Sequence, residues 1–287
     1  MNLLADYVEG LTVQLTSEGV SLNATEAKTN SSDFLATYIE YDRRRIAPAS
    51  RGVKFSKQLE NSPEWAKHQA AIGHLAELTR RGEPLIPYQS KQVGSLNQRD
   101  LLLSDWNIHH LHLGAHAAKT KFAARTGPLL YATFLSKEAY FIAVMDHSSF
   151  SELELLEIID GNWPSYLDRF TFKDVLEVFP VPSSSDVKKL RRAGVQTVVP
   201  LRSGRFLFPP GGGYSTAGTS IASMLEAQRI ARRLRDAEAY ILTHEANIRH
   251  GLGIASGDPI RLAALEQHRV VLTRDDAQVF FPVPIGG

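Results

Sequence analysis

The chain has 287 residues, a formal net charge of +1, a 43% hydrophobic and 22% charged composition, and no cysteine. At about 100–200 residues per domain this fits one large or two modest domains, and the composition excludes wholesale disorder. The missing thiols exclude a disulfide scaffold, a thiolate zinc site, an iron–sulfur centre and a cysteine nucleophile, and the near-neutral charge confines any nucleic-acid footprint to a local patch.

Asp6 and Glu9 interrupt the opening MNLLADYVEGLTVQL, which therefore lacks a signal-peptide pattern. No run approaches the ~18 apolar residues of a membrane span, so no membrane association and a cytoplasmic location are expected. Residues 20–33 are rich in Asn, Ser and Thr and read as a loop. Residues 34–46 read as a helix that ends before Pro48. GVKFSK (52–57) alternates apolar and polar, as a short strand does. The segment 63–81 is a clear helix: Pro63 suits the first turn, Trp65, Ile72, Leu75 and Leu78 recur at helical spacing, and Gly82 stops it. Two prolines mark 83–100 as a polar connection.

Three strands are then predicted, 108–114, 128–135 and 139–147, the last two joined tightly by Ser136, Lys137 and Glu138. A helix follows at 151–160, with Ser151 and Glu154 spaced as a capping box. The Pro/Ser-rich stretch 180–187 marks a boundary. Beyond it come a strand pair around Arg202–Gly204, the glycine-rich loop 211–220, a long helix at 219–242, strands at 260–265 and 269–273, and a Pro/Gly ending.

Four histidines fall between positions 109 and 116, and His147 closes the strand run. Strand alternation puts His110 and His112 on one face and His109 on the other, with Leu111 and Leu113. Imidazole titrates near neutrality, so His110 and His112 are candidates for proton transfer to and from ribose or phosphate oxygens, with His147 as a third. Arg125, in the connection to the next strand, offers a planar fork for a phosphate. The same histidines, with Asp146, could instead chelate a cation, although no familiar ligand spacing such as H-E-x-x-H is present. The plain alternative is a set of imidazoles on a solvated sheet face.

The basic run Arg43, Arg44, Arg45, Arg51, Lys54 and Lys57 reads either as a phosphate-tracking patch or as a solvated helix end. GGGYSTAGTS precedes a helix, as a phosphate cradle would, but lacks the P-loop lysine. Arg229, Arg232, Arg233 and Arg235 on the long helix read as structural more readily than as an RNA contact. Arg261 and His268 have the spacing of a HEPN ribonuclease motif, but they fall on predicted strand and turn, whereas that motif needs a helical domain.

The order strand 52–57, helix 63–81, then strands 108–114, 128–135 and 139–147 resembles the RelE-type ribonuclease toxins. GVKFSKQLE looks like their opening strand and turn, and HHLHLG, RTGPLLYATF and AYFIAVMDHSS look like their three-strand meander. The resemblance covers residues 50–160. Such toxins are small and strongly basic, and this chain is neither. What the resemblance implies is mRNA cleavage, usually on the ribosome, by His, Arg, Lys and Tyr side chains on the concave sheet.

The expectation is an α+β protein in three consecutive segments. These are a helical arm (1–48), a small antiparallel sheet domain of RelE-like β-α-β-β-β order (49–180), and a C-terminal α+β domain (187–287) that regulates or binds a partner. The expected activity is that of a metal-independent endoribonuclease, a toxin or phage-defence effector. His110, His112, Arg125 and His147 would be catalytic, and Lys54, Arg51 and Tyr131 would bind substrate. No cofactor or metal is required. RNA and a protein antitoxin are the expected partners, and a homo-oligomer is compatible with the reading. The rivals are a non-catalytic protein- or nucleic-acid-binding module and a metal-dependent hydrolase built on the histidine cluster.

Overall fold

The computed structural model describes residues 1–22, 27, 30–117, 119–147, 153–175, 177–266, 269–274 and 277–284. It is mixed α and β, with small sheets. The chain forms two compact units: residues 40–222, and residues 1–39 together with 223–287. This differs from three consecutive segments. The N-terminal residues belong with the C-terminal ones, and the Pro/Ser-rich stretch 180–187 lies inside the larger unit. Composition marks a turn as readily as a domain border, which accounts for the difference.

In the smaller unit, helix α1 (Leu3–Ser17) carries Asp6, whose carboxylate accepts from Leu262 N at 3.1 Å and pairs with Arg261 at 3.3 Å. Arg261 is thereby engaged, and its predicted companion His268 lies outside the described residues. Strands β7 (Arg261–Leu265), β8 (Arg269–Arg274) and β9 (Ala277–Pro284) form an antiparallel sheet. The third strand replaces the irregular Pro/Gly ending expected from composition.

The larger unit begins with the end of helix α2 (Ser31–Arg44) and strand β1 (Gly52–Phe55). A single turn, α3 (Lys57–Glu60), leads into α4 (Pro63–Arg81). The predicted start and stop of α4 are in place: the Ser62 side chain accepts from Trp65 N at 3.1 Å, Pro63 occupies the first turn, and Gly82 caps the end at φ 72°. Helix α5 (Leu101–Trp106) is capped by Asp100, whose Oδ1 accepts from Leu103 N at 3.0 Å.

Strands β2 (His109–His112), β3 (Leu129–Phe134) and β4 (Glu138–Met145) form an antiparallel meander. The sheet order is β1-β4-β3-β2, and β1 runs parallel to β4. The sheet is therefore mixed rather than wholly antiparallel, because a long helical crossover separates β1 from the meander and a crossover can deliver a parallel partner. This order leaves β2 as an edge strand. One face of the sheet packs Leu111, Leu130, Ala132, Phe141 and Val144 against Ile72 and Leu75 of α4. The other packs Leu129, Tyr131, Tyr140 and Ile142 against Leu155, Leu156 and Ile159 of helix α6 (Glu154–Asn162) and Trp163. Both faces are apolar because both are covered. The cap residue of α6 is Leu153, with no side-chain cap bond. Ser151, expected as the cap, lies outside the described residues.

Two short helical turns, α7 (Pro164–Leu167) and the 3₁₀ turn after it, lead on to helix α8 (Ser184–Arg192), which opens on a capping box between Ser183 and Asp186. Strands β5 (Val199–Pro200) and β6 (Phe206–Leu207) form the expected small pair. The glycine-rich loop follows and enters helix α9 (Ile221–Thr243), after which α10 (Glu245–Leu252) precedes the C-terminal sheet. No helix among the described residues is long and apolar enough to cross a membrane.

The glycine loop serves close backbone packing. Gly211 N donates to Asp105 O and Gly213 N donates to Ser104 O, both at 2.8 Å. These amides are committed to the end of α5, which leaves them unable to cradle a phosphate. A Cβ at Gly211 would fall on the carbonyl oxygens of Leu103 and Ser104. Gly211→Ala is expected to destabilise the protein by about 1–3 kcal/mol, as overpacking against fixed backbone does, and a urea melt measures it.

Candidate functional site

The site is built at the β2 edge. Cross-strand pairing sets His110 opposite Tyr131 and His112 opposite Leu129, so the two imidazoles share a face as alternation requires. His147 follows β4 and completes a triangle. Ring centroids are 6.4 Å apart for His110 and His112, 6.1 Å for His110 and His147, and 5.8 Å for His112 and His147. His147 is exposed, His110 half-buried and His112 buried. Among the described residues, no group of three or more His, Asp or Glu side chains is arranged to hold a metal ion.

A cavity of about 550 Å³ opens beside the edge strand. Because β2 has no outer neighbour, residues from both of its faces reach the cavity, and His109, His110 and His147 all line it. Part of the lining comes from α8, whose Lys188, Arg191 and Arg192 stand at i, i+3 and i+4 on one helical face. Arg44 and Arg99 add two more guanidinium groups, and Asp100 is the one carboxylate in this described lining. Arg99, Lys188 and Arg192 are exposed, whereas Arg44 and Arg191 are buried.

The buried cations hold the walls. Arg44 donates to the carbonyls of Gln98, Ser95 (2.6 Å) and Leu96 (3.3 Å), fixing the loop that leads to Asp100. Arg191 donates through Nε at 3.0 Å and Nη2 at 2.7 Å to Asp105 Oδ2, with its guanidinium 4.3 Å over the Trp106 ring. Of the exposed cations, Arg99 donates through Nη1 to Ala217 O, and Lys188 and Arg192 are exposed in the lining.

Burial dominates the histidine electrostatics. Desolvation holds His109 and His112 down to about 3, with Arg125 and the neighbouring imidazoles adding to the effect on His112. Burial also lowers His110; the Asp100 carboxylate opposes this, while His147 and Arg125 reinforce it. His109 and His112 are therefore neutral through the physiological range, which removes His112 as a proton donor near pH 7. Imidazole ¹H–¹⁵N spectra are expected to show both unprotonated from pH 8 to pH 5. The sign for stability follows from their depressed values. Below the free-imidazole value of 6.5 the unfolded chain binds more protons, so this stabilisation is complete above that pH and is lost on acidification towards 3. Each contributes a slope of up to about 1.4 kcal/mol per pH unit.

The other residues expected at the site are dispersed. Arg125 stands beside the cluster, donating to Gln89 O at 3.1 Å, but does not line the cavity. The Tyr131 ring is fully buried in the core and its hydroxyl donates to Asp146 O at 2.9 Å, which puts it out of reach of a base or ribose. Lys54 lies on β1, at the far edge of the sheet, and pairs with Glu138 at 2.6 Å. Arg51 donates to the carbonyls of Leu135, Ala47 and Ala49. Arg43 reaches Ser220 Oγ at 2.6 Å and Gly211 O at 3.1 Å, and Arg45 reaches the Tyr41 hydroxyl at 3.2 Å. Apart from the exposed Lys57, the basic run is thus divided among backbone carbonyls, hydroxyls and a carboxylate rather than gathered into a phosphate track.

Sequence reasoning passed over Arg99, Asp100, Lys188, Arg191 and Arg192. The i, i+3, i+4 spacing of the last three was the available signal. No protein-family model, curated protein or solved structure matches the chain.

Proposed function

We propose that the larger unit is a metal-independent endoribonuclease whose site is the cavity at the β2 edge. The observation that supports this most is the placing of His110 and His147 on the wall of a cavity with five cationic side chains and one carboxylate. Such a lining favours a polyanion, and guanidinium groups suit phosphate oxygens.

In this reading Lys188 and Arg192 hold the phosphate, and Arg99, which donates through Nη1 to Ala217 O, adds its charge. Neutral His110 takes the proton from the 2′-hydroxyl, and the 2′-oxygen attacks phosphorus. The bond from phosphorus to the 5′-oxygen breaks, and His147 as imidazolium protonates the leaving oxygen. The products are a 2′,3′-cyclic phosphate and a 5′-hydroxyl, with no external co-reactant. His112 packs beside the other two imidazoles rather than transferring a proton. The resemblance to RelE-type toxins belongs to the same proposal, and so do a ribosome-dependent mode and a protein antitoxin.

The test is incubation of labelled RNAs in EDTA, with and without a translation extract. The expected result is cleavage to cyclic-phosphate ends, no cleavage where the 2′-hydroxyl is replaced by hydrogen, and a bell-shaped pH profile. Binding without cleavage under either condition would replace the nuclease with a polyanion-binding module.

A further inference from the structure

The cavity lining is chemically mixed. Its cations are Lys188, Arg191 and Arg192 of α8 together with Arg44 and Arg99. The remainder combines the apolar side chains Val93, Leu101 and Leu102 with Asp100 and the Gln92 amide. A site for phosphate alone does not need an apolar wall or a carboxylate, and a carboxylate opposes an anion. About 550 Å³ is also within the range of pockets that enclose a small ligand, rather than the size of an open groove for a long strand.

We infer that the cavity holds one nucleotide and reads guanine through Asp100. This rests on the phosphate-directed reading of the same cavity. Asp100 is held rigidly, because its Oδ1 caps α5 through Leu103 N at 3.0 Å. Oδ2 accepts no hydrogen bond among the described residues. A carboxylate offers two acceptors side by side, and guanine alone among the RNA bases presents two adjacent donors, N1–H and N2–H. Adenine and cytosine place an acceptor next to a donor, and uracil flanks its one donor with carbonyls. The carboxylate therefore attracts guanine and repels part of each other edge. Gln92 carries an amide donor suited to guanine O6, and Val93, Leu101 and Leu102 supply the surface that covers the ring. The Asp100 charge also acts on His110, which puts the base-reading group beside the imidazole that takes the ribose proton.

Calorimetric titration with the four nucleoside 3′-monophosphates and with inorganic phosphate, in EDTA, tests this separately from cleavage. The guanosine compound is expected to bind at least about tenfold tighter than the adenosine one, the advantage of a bidentate edge contact. Asp100→Asn keeps an N-cap of equal quality and exchanges one acceptor for a donor. In that variant the guanosine advantage is expected to disappear and the adenosine compound to gain, while inorganic phosphate still binds. Equal affinity for all four nucleotides, or a guanosine advantage that survives Asp100→Asn, would overturn guanine reading and leave the cationic cavity intact. No binding of any nucleotide or of phosphate would overturn both readings. A guanosine preference without RNA cleavage would uphold this inference and remove the nuclease.

Discussion

His147→Ala and His110→Ala are each expected to lower RNA cleavage by about 10²–10⁴-fold, the usual contribution of a positioned acid or base. The two variants are expected to differ in the shape of their pH profiles. The base must be neutral, so its group sets the rising limb. The acid must be protonated, so its group sets the falling limb. His110→Ala is expected to lose the rise and His147→Ala the fall. His147 is exposed, so its removal leaves the buried core alone. His110 is half-buried in the edge strand, and His110→Gln serves as a second variant that keeps bulk and a polar end without the titration. The double variant is expected to fall well short of the product of the two losses, because the pair acts on one proton circuit. His112→Ala is expected to change the rate without moving either limb, since burial keeps His112 neutral across the profile. Wild-type cleavage by both single variants would remove these imidazoles from the chemistry.

Arg191→Ala is expected to carry the largest stability cost, about 3–5 kcal/mol, as removal of one partner from a buried ion pair does. Both side chains are almost fully inaccessible, at 6% exposure for Arg191 and 9% for Asp105. The substitution strands a carboxylate among apolar groups and removes the guanidinium from the Trp106 face. Burial already holds the Asp105 carboxyl above its ordinary value, and Arg191 offsets part of that rise. Without Arg191 the folded-state value rises further. The native variant then binds a proton more tightly than the unfolded chain does, so its stability improves as pH falls through the raised value. Urea melts are expected to show the deficit in full at pH 8 and a smaller deficit at pH 5. A deficit independent of pH would mean that lost packing, rather than an unpaired charge, sets the cost. Arg191→Met, which restores volume but no charge, separates the same two causes.

These effects mark how far the sequence could be read. The helix at 63–81 was legible because its signals are local: proline in the first turn, apolar residues at helical spacing and a glycine at the end. The meander was legible because its strands are near neighbours joined by short or polar breaks. The shared face of His110 and His112 followed from strand alternation alone. The parallel pairing of β1 with β4 was not legible, since it depends on where a long crossover returns the chain. The grouping of residues 1–39 with a segment that begins at residue 223 was not legible for a similar reason.

The site was half legible. A histidine cluster is visible in one dimension, but three of the five cations that line the same cavity come from α8, some 80 residues further along the chain than β2 in numbering. The run at 43–57 drew attention because its charges are close in sequence, yet arginine serves buried carbonyls as well as it serves phosphate. Tyr131 illustrates the same ambiguity. An aromatic residue opposite a candidate base looks like a stacking platform in sequence, and the packing of α6 against that face turns it into core.

The most direct test of the cavity as an RNA phosphate site is a titration with a 2′-deoxy-substituted oligonucleotide, which binds but has no 2′-hydroxyl to react. Imidazole Cε1–H resonances report each histidine separately, and EDTA is present throughout. The account predicts that the His110 and His147 signals move on binding, that His68 and His244 stay in place, and that the response weakens steeply with added salt. An oligonucleotide that binds without moving His110 or His147 would contradict the account, because the RNA would then lie elsewhere on the protein.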